Sequence, residues 1–267
     1  MQIYVNEKPM YVEETKSAFE MREQVKPDAD IVILNGFIIK VDQTLKDEDR
    51  IVLIRRGEMP KEEELEALMV SRHTVGVHEK VKAASVAVAG LGGLGSNIAV
   101  SLARIGVGKL ILVDFDVVEP SNLNRQHYMI SHIGLKKTDA LKKQLEQINP
   151  FIEVEVHDVF LEADNLMDHI GQADIAVEAF DGAPSKAMMV STWRQKCPEK
   201  PIVAASGLAG YGSSNLIQTQ KLMKNVYVIG DLKAEAKVGQ GLMAPRVAVA
   251  AGHQANMVLR LIMGEGI

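Results

Sequence analysis

The chain has 267 residues, 47% of them hydrophobic, a net charge of −5 at pH 7 and one cysteine. That length and apolar content allow one large domain, or a large and a small one, and exclude wholesale disorder. The acidic balance argues against nucleic acid as the main partner, and the lone cysteine excludes a disulfide framework and a zinc cage of cysteine pairs.

The first residues, Met-Gln-Ile-Tyr-Val-Asn-Glu-Lys, do not form a basic start followed by an apolar stretch, so they are not read as a secretory signal. No apolar run approaches the roughly 20 residues that span a bilayer. The expectation is a cytoplasmic protein with no membrane role.

Short β-rich runs come first, at Gln2–Val5, Met10–Val12, Ile31–Leu34, Phe37–Lys40 and Ile51–Arg55. A helix is expected from about Thr15 to Val25, ahead of Pro27. Asn35-Gly36 between two apolar runs is a tight-turn signal, because both residues tolerate positive φ. Strand–strand–helix–strand–strand–strand suggests a small α+β roll over residues 1–57. Gly57 and Pro60 break the pattern, and Lys61–Glu66 suits the first turn of a helix. Residues 58–84 are therefore expected to be linker and helices.

From Ser85 the texture changes. Ser85–Ala89 is an apolar run without alternation, as in a parallel strand buried on both faces. Gly90–Gly95 makes a turn, and a helix follows with Ile98, Ala99, Leu102, Ala103 and Ile105 on apolar spacing. Further strands are expected at Leu110–Val113, Glu153–Val156, Ile175–Ala179 and Ile202–Ala205. Helices fit Thr138–Ile148, Pro184–Lys196 and Pro245–Met263. Residues 85–267 thus read as a doubly wound, Rossmann-like α/β domain with a mostly parallel sheet.

Gly90, Gly92 and Gly95 fit G-x-G-x-x-G, with Gly93 as an extra glycine. The first allows a tight turn, the second lets phosphate approach the backbone, and the third lets helix and strand pack closely. A helix N-terminus then offers free N–H groups to phosphate. Asp114, at the end of the second strand, can accept from ribose hydroxyls. This much suits a dinucleotide or ATP. The chain then departs from a dehydrogenase: after Asp116 it offers Ser121, Asn122, Arg125 and Gln126, then Lys137. Arginine and lysine near one nucleotide suit a step in which charge builds on a phosphoryl group. Asp181 follows a strand at the ligand crevice and can hold Mg²⁺ together with substrate phosphates. The bland readings are a solvated helix start for Lys137, a surface ion pair for Arg125 and a helix cap for Asp181. Trp193 reads as a half-buried anchor. His127, His132 and His253 show no metal spacing, and the methionines fit helix packing.

Taken together, Arg72, Gly90–Gly95, Gly106–Gly108, Asp114–Asp116, Ser121–Gln126, Gly134–Lys137, Ile148–Pro150 and Asp181 resemble the adenylating enzymes of the ThiF/MoeB/ubiquitin-activating family, and the ThiF type in particular. The resemblance covers about residues 70–265. It implies ATP-dependent adenylation of the C-terminal carboxylate of a ubiquitin-like sulfur-carrier protein, in thiamine biosynthesis. It also implies that Asp114 binds ribose, that Gly93, Asn122, Arg125 and Lys137 contact the nucleotide, and that Asp181 works with Mg²⁺. Arg72 matches an arginine that reaches into the partner subunit's site, which implies a homodimer. Residues 1–56 resemble the sulfur carrier itself, although Arg55-Arg56-Gly57-Glu58 has one glycine and the chain continues, so this copy is expected to dock or scaffold.

The family's zinc-binding cysteine pairs are absent from the sequence, so no structural zinc is expected. The segment Leu232–Gly241, where a crossover-loop cysteine would fall, has none. Cys197, at a helix end, reads as structural. The enzyme is then expected to stop at the acyl-adenylate, with a separate sulfur donor attacking it. The rivals are an NAD-dependent oxidoreductase, a non-catalytic dimer binding nucleotide and carrier, and a tRNA-base dehydratase of the same family.

Overall fold

The computed structural model describes residues 1–74 and 76–267, which divide into two compact units, Met1–Glu79 and Lys80–Ile267.

The first unit is a five-stranded sheet with one helix packed on it. Its strands are β1 (Gln2–Val5), β2 (Lys8–Tyr11), β3 (Ile31–Leu34), β4 (Phe37–Ile39) and β5 (Arg50–Ile54), in the order β2-β1-β5-β3-β4. Asn35 (φ 50°) and Gly36 (φ 88°) close the β3–β4 hairpin, as their dipeptide signals. A second two-residue turn, Asn6-Glu7, also in the left-handed region, draws β2 forward of the expected Met10–Val12 so that Lys8 pairs with Val5. Helix α1 (Ala18–Val25) starts later than the expected Thr15 because of a capping box at Ser17. The Ser17 hydroxyl accepts from the Glu20 N–H at 3.3 Å, and the Glu20 carboxylate accepts from the Ser17 N–H at 2.8 Å. Ile3, Met21, Ile51 and Leu53 fill the core between helix and sheet. Two more helices follow, α2 (Glu62–Val70) and α3 (Val77–Ala83).

The second unit is a seven-stranded sheet, β11-β12-β10-β9-β6-β7-β8, parallel except at β11. Its strands β6 (Ser85–Ala89), β7 (Lys109–Asp114), β8 (Glu153–Asp158), β9 (Ile175–Glu178) and β10 (Ile202–Ala205) alternate with α4 (Gly93–Arg104), α5 (Lys137–Ile148), α6 (Leu166–Ile170) and α7 (Ala183–Lys196). A hairpin, β11 (Gln218–Met223) and β12 (Val226–Gly230), then leads to α8 (Ala244–Ile262). Val86–Ala89 and Leu110–Leu112 are wholly buried, which explains their unbroken apolar runs. Helices α4 and α8 pack together, as do α6 and α7, giving a doubly wound, Rossmann-like α/β domain. Among the described residues no helix is long and apolar enough to cross a membrane.

Three features depart from expectation. The sequence reading ends its strands at β10, whereas β11 and β12 follow, joined by a turn at Lys224-Asn225 with Asn225 at φ 61°. Helix α6 has five residues, too few to display a period. Trp193 is fully buried rather than half-buried: its indole N–H donates to the Lys200 carbonyl at 3.2 Å, so no polar atom opposes a place in the core. Trp193→Ala is expected to cost about 3–5 kcal/mol of stability, read by denaturant unfolding. Cys197 is the C-cap of α7 and packs against the same core, as a structural thiol would.

Candidate functional site

Strands β6, β7, β9 and β10 all point their carboxyl ends at one side of the sheet. A cavity of about 910 Å³ opens there, outside the strand ends where α/β sheets bind ligands.

The glycine turn forms one wall. Gly90 has φ 87°, and a Cβ there would stand 2.8 Å from the Ala179 carbonyl oxygen. A Cβ on Gly95 would stand 1.8 Å from the Gly90 carbonyl oxygen, so this glycine permits the close approach of α4 to the turn. Around Gly92 the nearest atom to such a Cβ is 3.9 Å away, which leaves the backbone open to a ligand. Gly92 is the N-cap of α4 and provides no side-chain cap, so the first N–H groups of the helix lack an acceptor from it. An uncapped helix N-terminus lining a cavity fits a phosphate. The Gln126 amide, lining the same cavity, has a buried Oε1 with no partner among the described residues.

Asp114 ends β7 and is 9% exposed. One oxygen accepts from the Leu91 N–H at 2.6 Å and the other from the Asp116 N–H at 2.8 Å. The carboxylate is thereby fixed while facing the cavity. Burial, reinforced by Asp114 and Asp116, pushes the Tyr128 phenol far above its ordinary value, so it stays protonated and donates to the Leu91 carbonyl at 2.9 Å.

Arg125 does not form the surface ion pair of the bland reading. Its guanidinium donates to the Ser121 carbonyl (3.1 Å) and Asn124 Oδ1 (2.8 Å), while Asn97 ties the Arg125 carbonyl to the start of α4. Lys137 is likewise no solvated helix start: it is 5% exposed, with its ammonium 2.7 Å from Asp116 Oδ2. Asp181 does not cap α7, whose N-cap is Gly182. Its exposed carboxylate lines the cavity without a hydrogen bond or ion pair to any described residue.

The cavity thus gathers Gly90, Gly92, Gly93, Asp114, Asp116, Arg125, Gln126, Lys137 and Asp181. Gly95 lies behind the turn. Ser121 and Asn122 form a 3-10 turn outside the lining, where Asn122 Oδ1 accepts from the Glu119 N–H at 3.0 Å. Arg72 belongs to the other unit and is exposed. Sequence reasoning missed Lys186 and Glu178. Lys186 lines the cavity and Glu178 is fully buried beneath it, its Oε1 3.0 Å from the Lys186 ammonium. Burial pushes the Glu178 carboxyl up, and Lys186 opposes that shift. A charge ending the apolar run Ile175–Val177 was the available signal. Arg246 was missed too. It is 5% exposed, and its guanidinium joins Asp231 to the Gly212 and Ser213 carbonyls, anchoring the segment whose Ala234, Glu235 and Ala236 line the cavity. Among the described residues no group of three or more His, Cys, Asp or Glu is arranged to hold a metal.

A glycine turn, an uncapped helix N-terminus and an acid ending the next strand define a nucleotide-binding α/β domain. The chain belongs to the ThiF family, whose model matches residues 66–267, and residues 1–57 match the ThiS-like ubiquitin model. It is 33% identical over 145 residues to the tRNA threonylcarbamoyladenosine dehydratase of Escherichia coli, covering 54% of this chain and 53% of that one. It is 38% identical over 132 residues to the adenylyltransferase and sulfurtransferase MOCS3 of Culex quinquefasciatus, covering 48% of this chain and 29% of that one. A crystal structure of the E. coli dehydratase in complex with ATP superposes with a TM-score of 0.65 at 25% identity, over 70% of this chain and 89% of that one. The chain therefore spans about half, or less, of the length of these curated relatives.

Proposed function

We propose that this protein uses ATP to adenylate the C-terminal carboxylate of a ubiquitin-like sulfur-carrier protein, releasing pyrophosphate. The observation that carries the reading is the junction of the uncapped α4 N-terminus with Arg125 and Lys137 in one cavity. The fused ThiS-like domain supports a carrier as acceptor. Thiamine biosynthesis is the pathway proposed for it, and the cytoplasm its compartment.

A carboxylate is already ionised near pH 7, so no general base is needed. It attacks the α-phosphate of ATP and pyrophosphate leaves. The protein's task is positioning and charge neutralisation. Gly90, Gly92, Gly93 and the α4 N-terminus would cradle the phosphates, and Asp114 would hold the ribose. Asp116 would orient Lys137, and Ser121 and Asn122 would support Arg125. Asp181, without a hydrogen-bond or ion-pair partner among the described residues, would hold Mg²⁺, which takes one or two carboxylates plus substrate phosphates and would neutralise charge on the phosphates. Arg72 would complete the partner's site in a homodimer.

We assign residues 1–57 to a carrier-like docking domain, 58–84 to a linker with helices, and 85–267 to catalysis. Deleting residues 1–58 should weaken carrier binding or dimerisation, read by titration and sedimentation; a deletion that alters neither removes the assignment. With Cys197 capping a helix, the reaction ends at the acyl-adenylate and a separate sulfur donor follows. Intact-mass measurement after incubation with ATP and carrier should show no covalent enzyme–carrier adduct.

One other reading has a specific observation behind it. The similarity to the tRNA threonylcarbamoyladenosine dehydratase, in sequence and in fold, supports adenylation of a modified tRNA base. The acidic charge and the ThiS-like fusion favour the carrier. Pyrophosphate exchange tested with carrier and with tRNA separates the two. ATP binding without NAD binding would separate both from an oxidoreductase, and exchange itself from a non-catalytic sensor.

A further inference from the structure

The parallel ladder between β9 and β10 stops short of the cavity. Its register pairs Ile202 with Ala176 and Val203 with Val177. On the other side of β9 the ladder with β6 continues to Glu178, opposite Ala89. The two strand ends therefore part directly beneath the cavity, whose floor is Ala179–Gly182 from one strand and Ala205–Gly207 from the other. A carboxylate fills that gap. Glu178 Oε1 accepts from the Phe180 N–H at 2.7 Å, and Oε2 from the Ala205 N–H at 3.4 Å. The Lys186 ammonium donates to both oxygens, at 3.0 and 3.3 Å, and to the Ala205 carbonyl at 3.1 Å. From α8, Gln254 donates to the Glu178 and Val203 carbonyls at 3.1 and 3.4 Å.

We propose that the Glu178–Lys186 pair is a positioning device for the reaction at this site, locking the β9 and β10 ends so that Phe180–Asp181 and Ser206–Gly207 present a fixed floor to the nucleotide. The inference rests on the adenylation reading for what is being positioned. Stability alone does not account for the pair, because burying the Glu178 charge against a Lys186 that is only partly covered costs desolvation that the pairing offsets incompletely. Position does account for it. The carboxylate does what a backbone partner would do in a continuing ladder, accepting from an N–H of each strand end. Phe180 also stands against the glycine turn, with Cδ1 3.1 Å from where a Gly90 Cβ would be, so a shift at residue 180 reaches the phosphate wall directly.

The test is the double variant Glu178→Leu with Lys186→Met, with Glu178→Gln as a milder companion. ATP affinity is measured by calorimetry, thermal unfolding by scanning, and carrier-dependent pyrophosphate exchange kinetically. The expected result in the double variant is exchange lowered about 10²-fold by misplacement and ATP affinity lowered about tenfold, with a fall in melting temperature because the Phe180 and Ala205 N–H groups lose their acceptor. Glu178→Gln should move in the same direction. Unchanged ATP affinity and exchange in both variants would overturn the proposal, whether or not the melting temperature shifts. If the wild-type protein binds ATP but exchanges with no carrier or tRNA, the adenylation reading fails, and the pair is judged on ATP affinity alone.

Discussion

Arg125→Ala should lower carrier-dependent pyrophosphate exchange by about 10²–10³-fold while the protein folds and melts as before. The first half follows from chemistry. Attack on the α-phosphate gathers charge that only fixed donors can neutralise without reorganisation. The second half follows from geometry: the guanidinium holds a loop carbonyl and the neighbouring Asn124, and no buried carboxylate depends on it. Its removal therefore leaves no uncompensated buried charge. Lys137 is a less clean target, because its ammonium neutralises Asp116 as well as facing the cavity. Exchange in Arg125→Ala close to the wild-type rate would remove Arg125 from the site.

Gly95→Ala should abolish ATP binding and cost about 3 kcal/mol of stability, a fall of about 6–12 °C in melting temperature for a unit of this size. The added carbon would lie 1.8 Å from the Gly90 carbonyl oxygen, a backbone atom that cannot rotate away. Either α4 moves off the turn or the turn opens, and both destroy the phosphate wall. Gly93→Ala offers the contrast. There the new carbon meets Val247 Cγ1 at 3.1 Å and Arg125 Cγ at 3.4 Å, both side-chain atoms able to shift by a few tenths of an ångström. Its effect should be mild on folding and visible in exchange, through displacement of Arg125. Calorimetry on the two variants side by side measures the difference.

That contrast shows where sequence ran ahead of structure and where it did not. The extra glycine, Gly93, is conspicuous in the sequence, yet packing makes Gly95 the intolerant one, and packing is not written in spacing. Strands β1, β3, β6 and β10 have the bounds their apolar runs announce, because burial on one or both faces dictates those runs. Strand β11 announces little: Gln218–Met223 is a mostly exposed edge whose pattern follows solvent rather than core. Helix α1 begins after Ser17 because Ser17 and Glu20 form a capping box, a signal carried by the Ser-x-x-Glu spacing in the sequence itself.

The site divides in the same way. The residues assembled around the cavity were largely visible, since glycine turns and cations reveal themselves by type. The residues that hold it in shape were not. Glu178, Lys186, Asp231 and Arg246 act through partners 8 and 15 residues apart in sequence, and a pairing of that kind appears only when strands and helices bring it together. The family is legible as well, in Ser121–Gln126 and Lys137 beyond the glycine turn, which also favour ATP over a dinucleotide, and the ThiF family match bears that reading of the family out.

The most direct measurement is exchange of labelled pyrophosphate into ATP, run with a ubiquitin-like sulfur carrier bearing a free C-terminus and with the same carrier amidated there. Exchange is expected with the first, none with the second, and near-background exchange with the first when Arg125→Ala replaces the wild type. Exchange that ignores the state of the carrier's terminus, or that requires tRNA instead, would contradict it.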